Sequence, residues 1–127
     1  GGLLALGDLH ARMGDGEVVG VGIETAGEVE IKVDLRHGQA IEMPILDNGA
    51  AMMVIASART LDEAAAAAAE YMTRLLAASG KLSREEAGML LSIAGDLRIC
   101  QIVDPLLTVR LEVSKRILAE CGISLIE

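Results

Sequence analysis

Aromatic residues are almost absent from this sequence of 127 residues, which contains no Trp, no Phe and one Tyr, Tyr71. Its core must therefore be aliphatic, and binding of single-stranded nucleic acid through stacked aromatic rings is disfavoured. Basic residues are also scarce, because 11 Lys and Arg stand against 19 Asp and Glu, which gives a net charge of −8. Since such a surface repels phosphate backbones, nucleic acid is not an expected partner.

Long apolar runs and cysteine motifs are missing as well. The longest apolar candidate, residues 50–58, is far shorter than the roughly 20 residues that cross a bilayer, so no membrane association is expected. No basic segment precedes the first apolar stretch, and a secretory signal is therefore not expected either. The two cysteines, Cys100 and Cys121, have no motif spacing and suit reduced thiols. Together these absences predict a soluble, cytoplasmic protein.

The first half of the chain, residues 1–58, has the period-two hydropathy of β-strands. Residues 28–35 alternate polar and apolar side chains without a break, as a strand with one solvated face does. An Asp-Asn-Gly sequence at 47–49 separates two apolar runs, and Asn-Gly favours a tight hairpin turn. Pro44 has no amide N–H to donate, so its strand is expected at a sheet edge.

The second half, residues 59–127, changes to helical periodicity. Thr60-Leu61-Asp62-Glu63 and Ser83-Arg84-Glu85-Glu86 both have the sequence of a capping box, which marks the start of a helix. Gly80 and Gly95 follow the two helical runs and are expected to end them.

Two strands and a short helix are expected after this helical pair. The strands are predicted over residues 99–103 and 107–113, and the helix over 115–121, before Gly122. The predicted fold class is therefore α+β, with an antiparallel β-rich N-terminal half, a helical pair, a further β-hairpin and a short C-terminal helix.

Chemically active residue types are concentrated close to the start of the chain. Asp8 and His10 are two positions apart, so in an extended segment both side chains project from one face. A carboxylate and an imidazole so placed can provide two ligands of a zinc site and leave positions open for water. Asp15 and Glu17 repeat this spacing and can orient ligands or move protons. Glu24, on the next strand, needs a bend or bulge to point the same way.

These spacings leave other interpretations open. Asp8 and His10 can be a solvated loop pair, and Asp15 can belong to an ordinary turn. The four carboxylates can also hold calcium through oxygen ligands alone, as an acidic ion-binding module does. These four are Asp8, Asp15, Glu17 and Glu24.

Several ordered motifs resemble the acetamidase/formamidase family. Those near the start are Gly7-Asp8-Leu9-His10-Ala11, Gly14-Asp15-Gly16-Glu17-Val18 and Gly20-Val21-Gly22-Ile23-Glu24. A second block, residues 91–105, is followed by Thr108-Val109-Arg110, and the similarity covers nearly the whole chain.

The resemblance implies hydrolysis of short linear amides, such as formamide and acetamide, to the carboxylic acid and ammonia. It implies a divalent metal with Asp8 and His10 as ligands. Zinc is expected, and calcium is the alternative. The catalytic carboxylates implied are Asp15, Glu17 and Glu24, with Glu17 relaying the proton to ammonia. Asp96, Arg98 and Asp104 are expected to form a structural charge network instead.

Two departures from the family accompany this resemblance. Met13 stands where Gln is expected and Val19 where Cys is common. The family's members are also substantially longer, and the chain resembles their C-terminal part. Residues 1–127 are therefore expected to be a single domain or a C-terminal fragment that is inactive alone and pairs with the N-terminal part or with a second copy, as a homo-oligomer. The alternative is a catalytically inactive assembly domain.

Overall fold

Nine short elements make up the fold of this computed structural model, which describes residues 3–38 and 40–125. In chain order they are β1 (His10–Arg12), β2 (Ile23–Glu24), β3 (Ile45–Asp47), β4 (Ala51–Ala58), α1 (Leu61–Ala78), α2 (Arg84–Ala94), β5 (Gly95–Gln101), β6 (Leu107–Ser114) and α3 (Lys115–Glu120). This confirms the α+β class, with antiparallel strands, a helical pair, a hairpin and a short C-terminal helix.

A four-stranded sheet in the order β3-β4-β6-β5 forms the centre, and every neighbouring pair is antiparallel. The Asn-Gly turn joins β3 to β4 as predicted. Gly49 adopts φ +88°, a conformation that glycine takes without steric cost, and its N–H donates to Asp47 Oδ1 at 2.7 Å. The strand that follows Pro44 lies at the edge of the sheet, also as predicted.

Both capping boxes form at the predicted helix starts. The N–H of Glu63 donates to Thr60 Oγ1 at 3.2 Å, and the N–H of Glu86 donates to Ser83 Oγ at 3.1 Å, with each glutamate accepting from the cap residue's N–H in return. Gly95 ends α2 and also begins β5, so this strand starts four residues before the predicted position 99. None of the helices among the described residues combines the length and the apolar character of a bilayer-crossing segment.

The core lies between α1 and one face of the sheet. Residues that alternate along β6, namely Val109, Leu111 and Val113, are buried against the helices. Their partners on β4 are Ala56, Val54 and Met52, all on the same face. From α1, the side chains of Met72 and Leu76 are completely buried, which stabilises the fold by about 1.5–3 kcal/mol each.

The core is aliphatic apart from one ring. Tyr71 is buried at 4% exposure, and its hydroxyl accepts a hydrogen bond from the N–H of Glu42 at 3.1 Å. This bond satisfies the polar end of the side chain, which a buried tyrosine requires. The expectation of an aliphatic core is thus confirmed, with Tyr71 as a hydrogen-bonded member.

The opposite face of the sheet is polar along β6. Thr108, Arg110 and Glu112 alternate with the buried residues of β6, and Arg98 of β5 pairs with Arg110 across the strands. The Nε–H of Arg98 donates to Glu112 Oε1 at 2.6 Å. Arg98 therefore belongs to a charge network, as predicted, whereas the other expected members, Asp96 and Asp104, form no ion pair among the described residues.

The predicted strand over residues 28–35 is not part of either sheet in the described residues. All eight residues are exposed, and they do not form a strand. Val29, Ile31, Val33 and Leu35, the apolar face of the alternation, are 46–79% exposed. Alternation specifies which side chains share a face but not which strand pairs with them, and a strand persists only where a partner supplies the backbone hydrogen bonds.

Candidate metal centre

The short strands β1 and β2 pair antiparallel beside the main sheet. Their pairing brings together the two ends of the segment of residues 8–24, which carries the predicted site residues. His10 pairs with Glu24, and the register shifts between His10 and Arg12. Such a bulge bends one strand and redirects its side chains. Because His10 and Glu24 are direct partners across the two strands, their side chains lie on the same face.

Three carboxylates surround the His10 imidazole. Nε2 of His10 lies 2.7 Å from Glu24 Oε1, 3.7 Å from Asp8 Oδ1 and 3.9 Å from Glu17 Oε1. One ligand atom from each of Asp8, His10 and Glu24 lies within 4.8 Å of the others, which is a spacing that can hold one metal ion. The predicted pair of ligands thus gains Glu24 as a third, a residue for which the sequence predicted a catalytic role.

The electrostatics of this cluster favour a cation. The His10 side chain is only 12% exposed, while Asp8 at 84% and Glu24 at 55% remain open to solvent. The pKa of His10 is raised above its ordinary value, mainly by the hydrogen bond to the Glu24 carboxylate, and partial desolvation opposes this. The negative charges of Glu24, Asp8 and Glu17 raise it further. A site that stabilises a positively charged imidazole in this way has the negative potential that a metal ion also requires.

The backbone of the cluster is left-handed at two residues other than glycine. Asp8 has φ +55° and Glu17 has φ +41°, a region that L-residues rarely adopt and that costs about 1–3 kcal/mol per residue. Asp8 therefore faces His10 through a left-handed turn of the chain, whereas the sequence predicted this common face from an extended segment. Backbone strain of this kind is frequent at functional sites.

Asp15 does not join the cluster. Its carboxylate accepts two hydrogen bonds from Arg110, with Nη1 at 3.0 Å from Oδ1 and Nη2 at 3.0 Å from Oδ2. These bonds hold the pKa of Asp15 below its ordinary value, and the charge of Arg98 lowers it further. Sequence reasoning did not identify Arg110 as a site residue, although it ends the second family-like block.

The cluster lies on the surface of the chain rather than in a deep cavity. An apolar groove of about 490 Å³ lies elsewhere, beside α1, where Ile45, Tyr71 and Leu75 contribute to its walls. Met13 and Val19, at which the sequence is expected to depart from the family, are 42% and 82% exposed. The described residues thus supply one side of a site around His10 and leave the other side open.

The fold and the site together define a class of protein. It has an α+β fold, with an imidazole and carboxylates gathered at a two-stranded ribbon. Comparison with known proteins narrows this class. The sequence pattern of the acetamidase/formamidase family matches residues 1–118. The chain therefore belongs to the acetamidase/formamidase family, as the motifs predicted.

Solved structures of similar proteins agree with this assignment. An acetamidase from Bacillus halodurans is 46% identical over 90% of the chain, with a TM-score of 0.84. A predicted acetamidase/formamidase from Thermoanaerobacter tengcongensis is 39% identical over 91% of the chain, with a TM-score of 0.85. An acetamidase from Yersinia enterocolitica is 37% identical over 86% of the chain, with a TM-score of 0.82.

The chain spans only part of each of these relatives. It covers 39% of the Bacillus halodurans protein, 38% of the Thermoanaerobacter tengcongensis protein and 33% of the Yersinia enterocolitica protein. Among curated proteins, no match was found.

Proposed function

We propose that this chain supplies the metal-binding part of an amidase that hydrolyses short linear amides to the carboxylic acid and ammonia. The observation that carries the proposal is the cluster of Asp8, His10 and Glu24, found in a chain of the acetamidase/formamidase family. The substrate class follows from its relatives, which are two acetamidases and a predicted acetamidase/formamidase.

The donor set of the cluster fits zinc better than calcium. It offers one imidazole nitrogen and two carboxylates, and three protein ligands with an open position are typical of catalytic zinc sites. Calcium prefers six to eight oxygen ligands, and an imidazole at the centre of the cluster does not suit it. A divalent ion held by Asp8, His10 and Glu24 would polarise the amide carbonyl and lower the pKa of a water molecule.

In the proposed reaction Glu17 moves the proton. Its Oε1 lies 3.9 Å from His10 Nε2, and its side chain is only 14% exposed. A carboxylate at that position can accept a proton from the attacking water and deliver it to the departing ammonia. Asp15, whose two oxygens are both occupied by Arg110, has a supporting role instead.

We also propose that the site needs a partner to become active. The chain spans at most 39% of the relatives described above, and its cluster is open on one side. The apolar face of residues 28–35 is exposed, and an extended segment of this kind can add to the edge of another sheet. The proposed partner is a further segment of a family-length polypeptide or a second copy of the chain, in a homo-oligomer.

Zinc titration of the 127-residue chain by calorimetry tests the metal site. We expect Asp8→Asn, His10→Gln and Glu24→Gln each to weaken zinc binding more than about tenfold. The matched control is Glu28→Gln, which removes the same charge from an exposed residue outside the cluster and should leave zinc affinity unchanged. Absence of zinc binding would contradict the proposal, and a calcium site that is insensitive to His10→Gln would favour the acidic ion-binding module.

Hydrolysis of formamide and acetamide, followed through release of ammonia, tests the need for a partner. The 127-residue chain is expected to show no activity as a monomer, and a family-length protein that carries the same residues is expected to be active. Turnover by the monomeric chain would contradict the need for a partner, while leaving the metal site intact, and turnover only by a homo-oligomer of the chain would identify the second copy as the partner.

A further inference from the structure

The ribbon of β1 and β2 is attached to the main sheet through one tight turn, residues 14–17. The N–H of Gly16 donates to the Cys100 carbonyl at 3.2 Å, and the N–H of Ile102 donates to the Gly16 carbonyl at 3.1 Å. These bonds form a parallel bridge between Gly16 and Gln101 at the end of β5. The turn ends at Glu17, so the place where the ribbon meets the sheet also sets the position of this carboxylate beside His10.

Arg110 fixes the same turn from the polar face of the sheet. Its two parallel bonds to Asp15, each 3.0 Å long, determine the orientation of the carboxylate as well as its distance. The Arg110 side chain is 21% exposed, and its Nε–H donates to Glu112 Oε2 at 3.2 Å, so the guanidinium is itself held in place. Arg110 lies in the middle of β6, between two hydrogen-bonded neighbours, which is a rigid part of the fold.

We propose that Arg110 is a positioning residue for the metal centre. By binding Asp15 it fixes the turn of residues 14–17, and this turn places Glu17 beside His10. The inference rests on the proposed function, because it assigns Arg110 a role in a site that binds zinc. No contact between Arg110 and the metal is involved.

An electrostatic role and a positioning role of Arg110 predict opposite changes in zinc affinity when the side chain is removed. Arg110 is a cation near an acidic cluster, so through its charge alone it repels a bound metal ion, and its loss would strengthen zinc binding. A positioning role predicts weaker zinc binding, because the negative charge of Glu17, whose Oε1 lies 3.9 Å from His10 Nε2, is no longer held beside the metal ligands. The sign of the change therefore separates the two roles.

Zinc titration of Arg110→Met in the 127-residue chain is the central experiment. We expect zinc affinity to fall about tenfold, the lower end of the effect of residues that support metal ligands. Arg110→Lys keeps the charge but cannot make two parallel bonds, and it should recover only part of the loss. The matched control is Arg84→Met, which breaks the pair of Arg84 with Glu70 (2.6 and 2.7 Å) far from the cluster and should leave zinc affinity unchanged.

A double-mutant cycle with Asp15→Asn identifies the route of the effect. If Arg110 acts through Asp15, adding Asp15→Asn to Arg110→Met should produce little further loss of zinc affinity. Hydrogen exchange at the Gly16 and Ile102 amides should be faster in both single variants, with or without zinc, because the turn is less firmly attached. If Arg110→Met does not fold, the comparison of Arg110→Lys and Asp15→Asn provides the same test.

The outcomes separate this inference from the proposed function. Zinc affinity that is unchanged or higher in Arg110→Met would overturn the positioning role and leave the metal site intact. Fully additive losses in the cycle would also overturn it, since Asp15 would then act through its own charge. Failure of the unsubstituted chain to bind zinc would refute the proposed function, and the positioning role with it.

Discussion

Gly22 lies against the imidazole ring of His10 so closely that no side chain fits between them. A Cβ atom at position 22 would lie 2.9 Å from His10 Cδ2 and 2.9 Å from the carbonyl oxygen of Arg12. Real Cβ atoms essentially never approach other atoms this closely. The absence of a side chain at Gly22 lets β2 approach β1, and this approach brings Glu24 within 2.7 Å of His10 Nε2.

We predict that Gly22→Ala weakens zinc binding about tenfold or more, because the added methyl group displaces the imidazole from the carboxylates. The measurement is zinc titration by calorimetry. The matched control is Gly88→Ala, which lies in α2 with nothing within 4 Å of its Cβ position. This control should retain zinc affinity and gain about 0.5–1 kcal/mol of stability, because alanine is the better helix former. Equal zinc affinity in the two variants would contradict the prediction.

The position of the core is tested by a pair of identical substitutions. Val54 is completely buried under α1, whereas Val33 is 74% exposed. We expect Val54→Ala to lower the free energy of unfolding by about 2 kcal/mol, through lost burial and the cavity left behind. Val33→Ala should change it by less than about 0.5 kcal/mol. Chemical denaturation of both variants makes the comparison, and similar losses would mean that residues 28–35 are buried in solution.

The pair of Glu42 and Arg74 makes stability depend on pH. Two hydrogen bonds, 2.8 and 2.7 Å long, hold the pKa of Glu42 below its ordinary value of 4.5. A carboxyl whose pKa is lowered by folding stabilises the fold above its unfolded pKa, and the stabilisation is lost as the pH falls through the folded pKa. The wild type should therefore be more stable than Glu42→Gln at neutral pH, and the difference should shrink at an acid pH below 4.5.

Thermal unfolding at both pH values measures this effect. Glu30→Gln is the control, since this residue is exposed on the segment outside the sheets and its substitution should be neutral at either pH. A difference between the wild type and Glu42→Gln that persisted at low pH would show that the pair acts through packing rather than charge.

The left-handed backbone at Glu17 predicts that the glutamate needed for the proposed function lowers the stability of the fold. At φ +41° glycine has no steric penalty, whereas glutamate does. Glu17→Gly should be more stable than Glu17→Gln by up to about 1 kcal/mol, because the relief of strain outweighs the greater entropy of the unfolded chain. Denaturation of the two variants tests this, since both lose the carboxylate. A less stable Glu17→Gly would indicate that the backbone at this residue is relaxed.

The helices and the hairpin could be predicted because their determinants are local. Thr60 and Ser83 each cap a helix with a glutamate three residues later, and the Asn-Gly turn after Asp47 selects its own geometry. Residues 28–35 have an equally regular pattern, yet they are unpaired in the described chain. The difference is physical: a helix satisfies its own backbone hydrogen bonds, whereas a strand depends on another segment for them.

In the candidate site, the residue types were predictable but their partners were not. Asp8 and His10 stand close in sequence, and their association follows from that proximity. Asp15 and Glu24 both offer a carboxylate, but the pairing of β1 with β2 places Glu24 directly opposite His10 and so brings it to the imidazole. Arg110, 95 positions away from Asp15, removes that carboxylate from the cluster, and no local pattern connects these two residues.

The sequence by itself determined the family, the α+β class, the helix boundaries and the presence of imidazole and carboxylate chemistry near the start of the chain. These properties depend on short-range patterns and on the order of motifs. Only the tertiary structure decided that Glu24 completes the cluster, that Arg110 holds Asp15 and that Gly22 must lack a side chain. Each of these depends on strand register and on the packing of segments distant in sequence, which no local spacing specifies.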